Sequence, residues 1–272
     1  MNIAVFGATS FIGRALCESL LTHGHSVISF SRRAPETRPN ASHRHWALGE
    51  RPIIDKDDHV NVAIHLAHDF TRGTGADLNV YGTVAAVQAC AASAVPRQIY
   101  FSSYSAHRHA TSVYGRAKYV TEQILNGFTD LTIVRPGLVV GNGGVYLKIE
   151  KLARRLPFFP TISGLNKVIP IIELDLLITT VTTILSVPKM HKEYNIFHPG
   201  LLSLYDLLLY AQQDRHVQAV SKFQLVIPRL LVLYAVHFLL LSRIPIGNSL
   251  DSILGLISNA QSPHTSMWVG AT

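Results

Sequence analysis

The chain has 272 residues, room for one large domain or for one domain with a small appendage. With 48% apolar and 15% charged residues it can build a sizeable core, which excludes a disordered chain. Its formal charge of +7 is scattered, with no basic stripe and no interleaved aromatics, which argues against nucleic acid; the tightest pairs, Arg32-Arg33 and Arg154-Arg155, suit a phosphate pocket instead.

Residues 2–6 are a short apolar run that ends at Gly7 and reads as a buried parallel strand. No basic region precedes this run and no cleavage site follows it, so it is not read as a signal peptide. Ile12 to Leu21 reads as a helix, and Ser26 to Phe30 as a second strand after the turn His23-Gly24-His25. Together they open a βαβ unit. Residues 34–60 are polar and proline-bearing, with a short strand expected near Trp46-Leu48. Asn61 to Leu66 is the next strand. Residues 75–94 form a long helix with Val80, Val84, Val87 and Ala91 on one stripe. Gln98 to Ser102 is a strand, Ser112 to Leu125 a helix, and Leu131 to Val134 a strand stopped by Pro136-Gly137. This alternation predicts an α/β chain with a Rossmann-type, doubly wound, mostly parallel sheet, whose core occupies residues 1–140.

Residues 141–272 read as a C-terminal substrate-binding region, small, mainly helical and partly interleaved with the core. Tyr146 to Leu156 is expected as a helix ending before Pro157, and Val168 to Ile172 as a short strand. Leu176 to Leu185 is a helix with Asp175 placed to cap it, followed by a strand over Tyr194 to Phe197. Ser203 followed by Asp206 resembles an acidic capping box that starts a helix to about residue 212. Residues 223–260 are helical in pattern, very apolar, and broken by Pro228 and Pro245. The run Leu230 to Leu241 is too short to cross a bilayer as a helix. Segment 223–241 has three readings. A core or substrate-covering helix is favoured over a homodimer contact and over a peripheral membrane contact. Cys17 and Cys90 each lie in an apolar periodic run and read as buried free thiols, the usage of a cytoplasmic protein.

The run GATSFIG follows the first strand and places Gly7, Ser10 and Gly13 at three-residue spacing. Gly7 lets the chain turn tightly, the small residues after it let a pyrophosphate approach the backbone, and Gly13 lets the helix lie close to the sheet. Free N–H groups at the helix start would then receive the phosphates of a dinucleotide. The alternative is an ordinary strand–turn–helix of another α/β protein. The end of the second strand discriminates between cofactors. NAD sites prefer a carboxylate there, whereas this chain has Ser31-Arg32-Arg33 and no acid until Glu36. Guanidinium groups at Arg32 and Arg33 suit a 2′-phosphate, so NADP is favoured and NAD is the alternative.

Tyr114, Gly115, Arg116, Ala117 and Lys118 spell YGRAK, eleven residues after Ser103. A free tyrosine is a poor base, and a lysine one helical turn along the same face lowers its pKa by its positive charge. A serine hydroxyl from the adjacent strand end would hold the substrate oxygen while Tyr114 gives or takes a proton. Ser103 fits that role, with Ser102 and Ser105 as alternatives.

These segments resemble the short-chain dehydrogenase/reductase superfamily, in its extended or atypical branch of NAD(P)-dependent epimerases and dehydratases of nucleotide sugars. The resemblance spans roughly residues 1–200. Further matching segments are AIHLA at 63–67, DLNVYGT at 77–83, IYFSS at 99–103, YGRAKYVTE at 114–122 and IVRPGLVVG at 133–141. It implies that the turn Gly7, Ala8, Thr9, Ser10, Phe11 and Ile12 holds the pyrophosphate, that Leu66 and Ala67 line the adenosine–ribose side, and that Pro136 faces the nicotinamide. It also implies Tyr114 as acid/base, Lys118 on the ribose and Ser103 on the substrate. Glu122 is read as a support for the helix.

Two departures narrow the reading. Ser10 stands where the family most often has a second glycine. The interval from Ser103 to Tyr114 is shorter than in sugar epimerases, which brings an apolar, lipid- or steroid-like carbonyl into competition with a nucleotide sugar. Tyr104, with no acid directly after Ser103, disfavours dehydratase chemistry. The expected function is an NADP-dependent oxidoreductase or epimerase acting on a secondary alcohol or ketone. A non-catalytic NADP-binding sensor or assembly protein is the other class. The pairs His43/His45 and His107/His109 lack a third ligand at a recognised spacing, so no metal is expected.

Overall fold

The computed structural model describes residues 1–70, 75–155, 161–162, 168–198, 202–203, 206 and 226–227. In chain order its elements are β1 (Asn2–Phe6), α1 (Phe11–Thr22), β2 (Ser26–Ser31), β3 (Ala41–His45), β4 (Val62–His65), α2 (Gly75–Ala92), β5 (Gln98–Phe101), α3 (Val113–Leu125), β6 (Leu131–Pro136), β7 (Leu138–Val140), α4 (Gly144–Arg155), β8 (Thr161–Ile162), β9 (Val168–Ile169), β10 (Ile171–Glu173), α5 (Leu174–Ser186), β11 (Glu193–Ile196), β12 (Leu202–Ser203) and β13 (Val226–Ile227).

Seven strands form one sheet in the order β11-β6-β5-β4-β1-β2-β3, and every pair in it is parallel. The Rossmann-type doubly wound sheet expected from the alternating pattern is therefore present. Central strands are buried on both faces, which is why they read as unbroken apolar runs. Ile3, Val5, Ile64 and Ile99 point to the side that receives α1 and α5, with Leu16, Leu20, Leu177 and Val181. Ala4, Phe6, Phe30 and Ala63 point the other way, toward Ala86 and Cys90 of α2. Chain order reverses between β1 and β4, so a crevice opens beyond their carboxyl ends.

Several local expectations are corrected. The strand near Trp46 lies earlier, over Ala41–His45. It is an edge strand, and its ladder to β2 is made by backbone groups that do not need an apolar sequence. Trp46 itself is buried just beyond it, edge-on to Phe6 at 5.1 Å. In α2 the apolar stripe is too narrow a description. Val80, Val87 and Cys90 are buried together with Asn79, Thr83, Ala86 and Ala89, while Ala91 is exposed. The helix packs on the sheet with one side and on α3 with another, so a wide arc is covered. Pro170 splits the strand expected over 168–172 into β9, paired with β12, and β10, paired with β7. Helix α5 begins at Leu174, so Asp175 sits inside its first turn and Glu173 takes the cap position without a side-chain bond.

Ser203 and Asp206 do exchange the reciprocal bonds of a capping box. The Asp206 carboxylate accepts from the Ser203 amide at 2.9 Å, and the Ser203 hydroxyl accepts from the Asp206 amide at 3.1 Å. The rest of that expected helix lies outside the described residues. So does the apolar segment 223–260, except Val226–Ile227, which form a short strand beside β8 and not a helix. Among the described residues no helix is long and apolar enough to cross a membrane. Cys90 is buried and Cys17 half-buried, both as free thiols.

Candidate active site

Beyond the carboxyl ends of β1, β4, β5 and β6 lies a cavity of about 440 Å³. One end is formed by the turn after β1. Gly7 holds φ +87°, a left-handed conformation that favours glycine, and a Cβ there would stand 2.7 Å from the Ala67 amide nitrogen. A Cβ on Gly13 would run into the Gly7 carbonyl oxygen. Gly13 thus lets the first turn of α1 fold back over its own approach loop, a closer contact than the helix–sheet packing expected of it. These two missing side chains leave a cradle of backbone that a pyrophosphate fits.

Ser10 is the N-cap of α1, and its hydroxyl oxygen accepts from the Gly13 amide at 3.0 Å. Its own proton is left for another acceptor. The serine found in place of a glycine therefore strengthens the helix start and keeps a donor at the cavity, which it lines with Phe11 and Ile12. Leu66 and Pro136 also line the cavity, whereas Thr9 and Ala67 do not. Ala67 instead backs the Gly7 turn. Arg32 and Arg33 are exposed past the end of β2, outside the cavity lining. The Ser31 hydroxyl donates to the Arg33 carbonyl at 2.7 Å and shapes their loop.

Ser103, Tyr114 and Lys118 meet in the lining of this cavity. Ser112 caps α3, its hydroxyl accepting from Gly115 at 3.0 Å, and so aims the first turn that carries Tyr114. Burial pushes the Tyr114 phenol up to about 12, partly offset by a hydrogen bond with Ser103. Lys118 is buried, and its ammonium donates to the Phe101 carbonyl at 2.6 Å, 5.9 Å from the centre of the Tyr114 ring. Burial brings its pKa down to about 7, against the opposing pull of the Glu122 carboxylate. The Ser103 hydroxyl lies 2.9 Å from that of Ser105. Ser102 is buried and its hydroxyl has no hydrogen-bond partner.

Three further residues line the site: His68, which the sequence places at the strand end by the cofactor, and Phe70 and Lys148, which nothing in the sequence flags. His68 stands edge-on to Tyr114, ring centres 4.8 Å apart, and burial with the nearby charge of Lys118 holds its imidazole well below its ordinary pKa. Phe70 lies nearly parallel to the Tyr114 ring at 6.1 Å, and the Lys148 ammonium sits 5.8 Å above Phe70. Phe70 follows β4 in a loop and Lys148 lies in α4, places with no spacing rule to flag them. Arg135 lies near the end of β6. It is buried, grips Glu122 with two bonds of 2.8 and 2.7 Å, and reaches Glu193 at 2.6 Å. Burial alone would lower its pKa, but these two carboxylates hold it above its ordinary value.

Of the histidines weighed for metal, His43 faces the Ser31 carbonyl at 3.0 Å and His109 accepts from Arg108 at 2.7 Å. His65 is structural. Gln98 donates to the Val87 carbonyl at 3.2 Å, which turns its own oxygen to His65 Nε2 at 2.9 Å. Nε2 therefore carries the proton, and burial brings the His65 pKa down to about 4. Among the described residues no group of three or more His, Cys, Asp or Glu is arranged to hold a metal.

The signature of the NAD-dependent epimerase/dehydratase family matches residues 3–157. An uncharacterized protein of Mycobacterium tuberculosis strain H37Rv is 31% identical over 104 residues, 38% of this chain; the chain spans only 12% of the length of that relative. Among solved structures, UDP-glucuronic acid 4-epimerase from Bacillus cereus in complex with NAD has a TM-score of 0.67 at 18% identity, covering 84% of this chain and 87% of that one. UDP-glucose 4-epimerase from Thermotoga maritima with UDP-glucose has a TM-score of 0.64 at 18% identity, covering 84% of this chain and 86% of that one. At these identities the two structures speak for the fold.

Proposed function

The chain belongs to the NAD-dependent epimerase/dehydratase family and is an enzyme of that kind, and on this premise we propose that it is an NADP-dependent oxidoreductase or epimerase acting on a secondary alcohol or ketone. The observation that carries the proposal is the meeting of Ser103, Tyr114 and Lys118 in one cavity that Ser10, Phe11 and Ile12 of the turn after β1 also line. When bound, the nicotinamide cofactor supplies or receives the hydride. The Gly7–Ile12 turn would hold its pyrophosphate, and Lys118 its ribose.

Tyr114 handles the proton. In reduction its phenol O–H gives a proton to the substrate oxygen, and in oxidation the phenolate takes one back. With a pKa of about 12 in the free protein, the phenol is a competent acid only where positive charge stabilises the phenolate. Lys118, one turn along α3, is the charge placed to do so, and Ser103 holds the oxygen end of the substrate.

Arg32 and Arg33 support NADP over NAD, since both guanidinium groups are exposed beside the turn and no acid stands there. The solved structure from Bacillus cereus carries NAD, so this preference is a property proposed for this chain. The shared chemistry also leaves the substrate class to be read from the cavity wall. Phe70, Tyr104, Val145, Ile169 and Pro170 line the same cavity as Tyr114. That wall favours a second reading, in which the carbonyl belongs to an apolar molecule and not to a nucleotide sugar.

Titration with NADPH and NADH, followed by nicotinamide fluorescence, tests the cofactor reading. NADPH is expected to bind about 10- to 100-fold more tightly, the range of one charge-assisted contact. Replacing Arg32 and Arg33 together by Ala should remove the preference. Equal affinities in the unsubstituted protein overturn it.

A further inference from the structure

Ser103 does not stand alone, and its hydrogen bonds can be counted. A serine hydroxyl has one proton to donate and two lone pairs to accept with. The Ser105 amide donates to the Ser103 oxygen at 3.2 Å and occupies one lone pair. One lone pair and one proton remain, and two hydroxyls can compete for them: that of Ser105, at 2.9 Å, and the Tyr114 phenol, which lines the same cavity as Ser103 and whose pKa Ser103 lowers.

Two arrangements let Ser103 serve both partners at once. In the first, Ser105 donates to Ser103, Ser103 donates to Tyr114, and the phenol proton is free to face the cavity. In the second, the chain runs backward: Tyr114 donates to Ser103 and Ser103 to Ser105. The two differ in function. In the first arrangement Tyr114 offers a proton to a substrate oxygen. In the second the same proton is withheld.

Once the Tyr114 O–H bond breaks and its proton forms an O–H bond on the substrate oxygen, the phenolate can only accept. The first arrangement is then the one left. Ser103 must donate to the phenolate, and its free lone pair must be filled from Ser105. We infer that Ser105 is a positioning residue that sets the direction of the Tyr114–Ser103–Ser105 hydrogen-bond chain, so that Ser103 donates toward Tyr114. The inference rests on the Ser–Tyr–Lys reading above and extends it by one residue.

The backbone around Ser105 is built to hold it there. A Cβ on Gly115 would stand 2.6 Å from the Ser105 carbonyl oxygen, so the loop lies directly on the helix turn that carries Tyr114. The Ala106 amide closes a turn on the Ser103 carbonyl at 3.0 Å, and Ser105 is buried. Ser105 therefore cannot drift from Ser103 without lifting the loop off α3. The hydroxyl next along, on Ser102, has no hydrogen-bond partner and takes no part in the chain.

The test reads ionisation of Tyr114 in the free protein and needs no substrate. Difluorotyrosine, whose fluorines bring phenol ionisation toward neutral pH, is placed at position 114 alone, and the fluorine resonance is followed against pH. Three titratable groups approach Tyr114 from separate elements: Lys118 on α3, His68 after β4 and Tyr100 on β5. All three are unchanged in every variant. Ser105→Ala keeps the backbone N–H bond and loses the hydroxyl. It should raise the midpoint by about half to one pH unit, the size of one hydrogen bond to a charged group relayed through Ser103. Ser105→Thr, which keeps the hydroxyl, should restore it, and Ser105→Cys, a weak donor of similar size, should fall between and serves where Ala does not fold.

An unchanged midpoint in Ser105→Ala overturns the inference. A rise that Thr does not reverse also overturns it, since packing would then be the cause. Ser103→Ala separates this from the parent reading. If that variant leaves the midpoint in place, Ser103 does not serve Tyr114, and the Ser–Tyr reading fails along with the chain.

Discussion

The ammonium of Lys118 donates to the backbone carbonyl of Phe101 at 2.6 Å, which ties helix α3 to the last residue of β5. The bond fixes the distance between the tyrosine-bearing helix and the strand end that leads into Ser103. It also keeps a lysine in a place where water cannot solvate its charge. Position and proton affinity of this side chain are thus set by the same burial.

Replacing Tyr114 by Phe removes the phenol and little else. Turnover of a true substrate should fall about 10²- to 10⁴-fold, the usual worth of a positioned acid/base, while NADPH affinity stays nearly constant. Steady-state rates and fluorescence titration on the same preparation check this. Retained turnover would sink the assignment.

Lys118 makes stability depend on pH. Its pKa is lowered from 10.5 to about 7 on folding, so between those values the unfolded chain binds more protons than the folded one. Stability therefore rises with pH across that window, and the cost of the buried charge is full below about 7. Lys118→Met escapes the cost. Relative to the unsubstituted chain it should be more stable at pH 6, by on the order of 2–4 kcal/mol beyond any difference at pH 10. Urea unfolding of both proteins at the two pH values measures the difference. A pH-independent gap would show that Lys118 keeps an ordinary pKa.

Arg135 is caught between Glu122 and Glu193, and Arg135 and Glu122 are both buried. Glu122→Ala should cost about 3–5 kcal/mol, because it strands a buried guanidinium. The double change Glu122→Leu with Arg135→Met should cost clearly less than that single change. Denaturant midpoints decide between them. Equal losses would mean that the ion pair itself stabilises the fold.

Gly13→Ala forces a methyl group onto the Gly7 carbonyl. The first turn of α1 must back away, at about 1–3 kcal/mol, and the cradle widens. NADPH binding should weaken at least about 10-fold. Calorimetric titration and a thermal melt, run together, separate this from general unfolding.

Much of this arrangement was legible in the chain, and for local reasons. The β1 turn shows itself because strand, glycines and helix follow one another within a dozen residues. The Tyr114/Lys118 pair shows itself because both lie on one helical turn, and Ser103 because it closely follows the end of an apolar strand. Strand β3 was displaced because an edge strand needs only backbone pairing, so the sequence ASHRH carries no apolar signal. Glu193 could not be connected to Arg135, since 58 residues separate them and only strand pairing brings them together. Phe70 and Lys148 were invisible for the same reason. They face each other from a loop and from a helix that no periodicity relates.

The pairing of β11 with β6 has a consequence for the chain during its synthesis. Strands β1 to β6 are complete once residue 136 has emerged, yet β11 begins only at Glu193. Until then LTIVRP is the border of the sheet, an apolar strand with open backbone groups and a guanidinium short of one carboxylate. A nascent chain paused between these points presents a template for pairing with another copy, so ribosomal pausing there should show as aggregation or as chaperone capture.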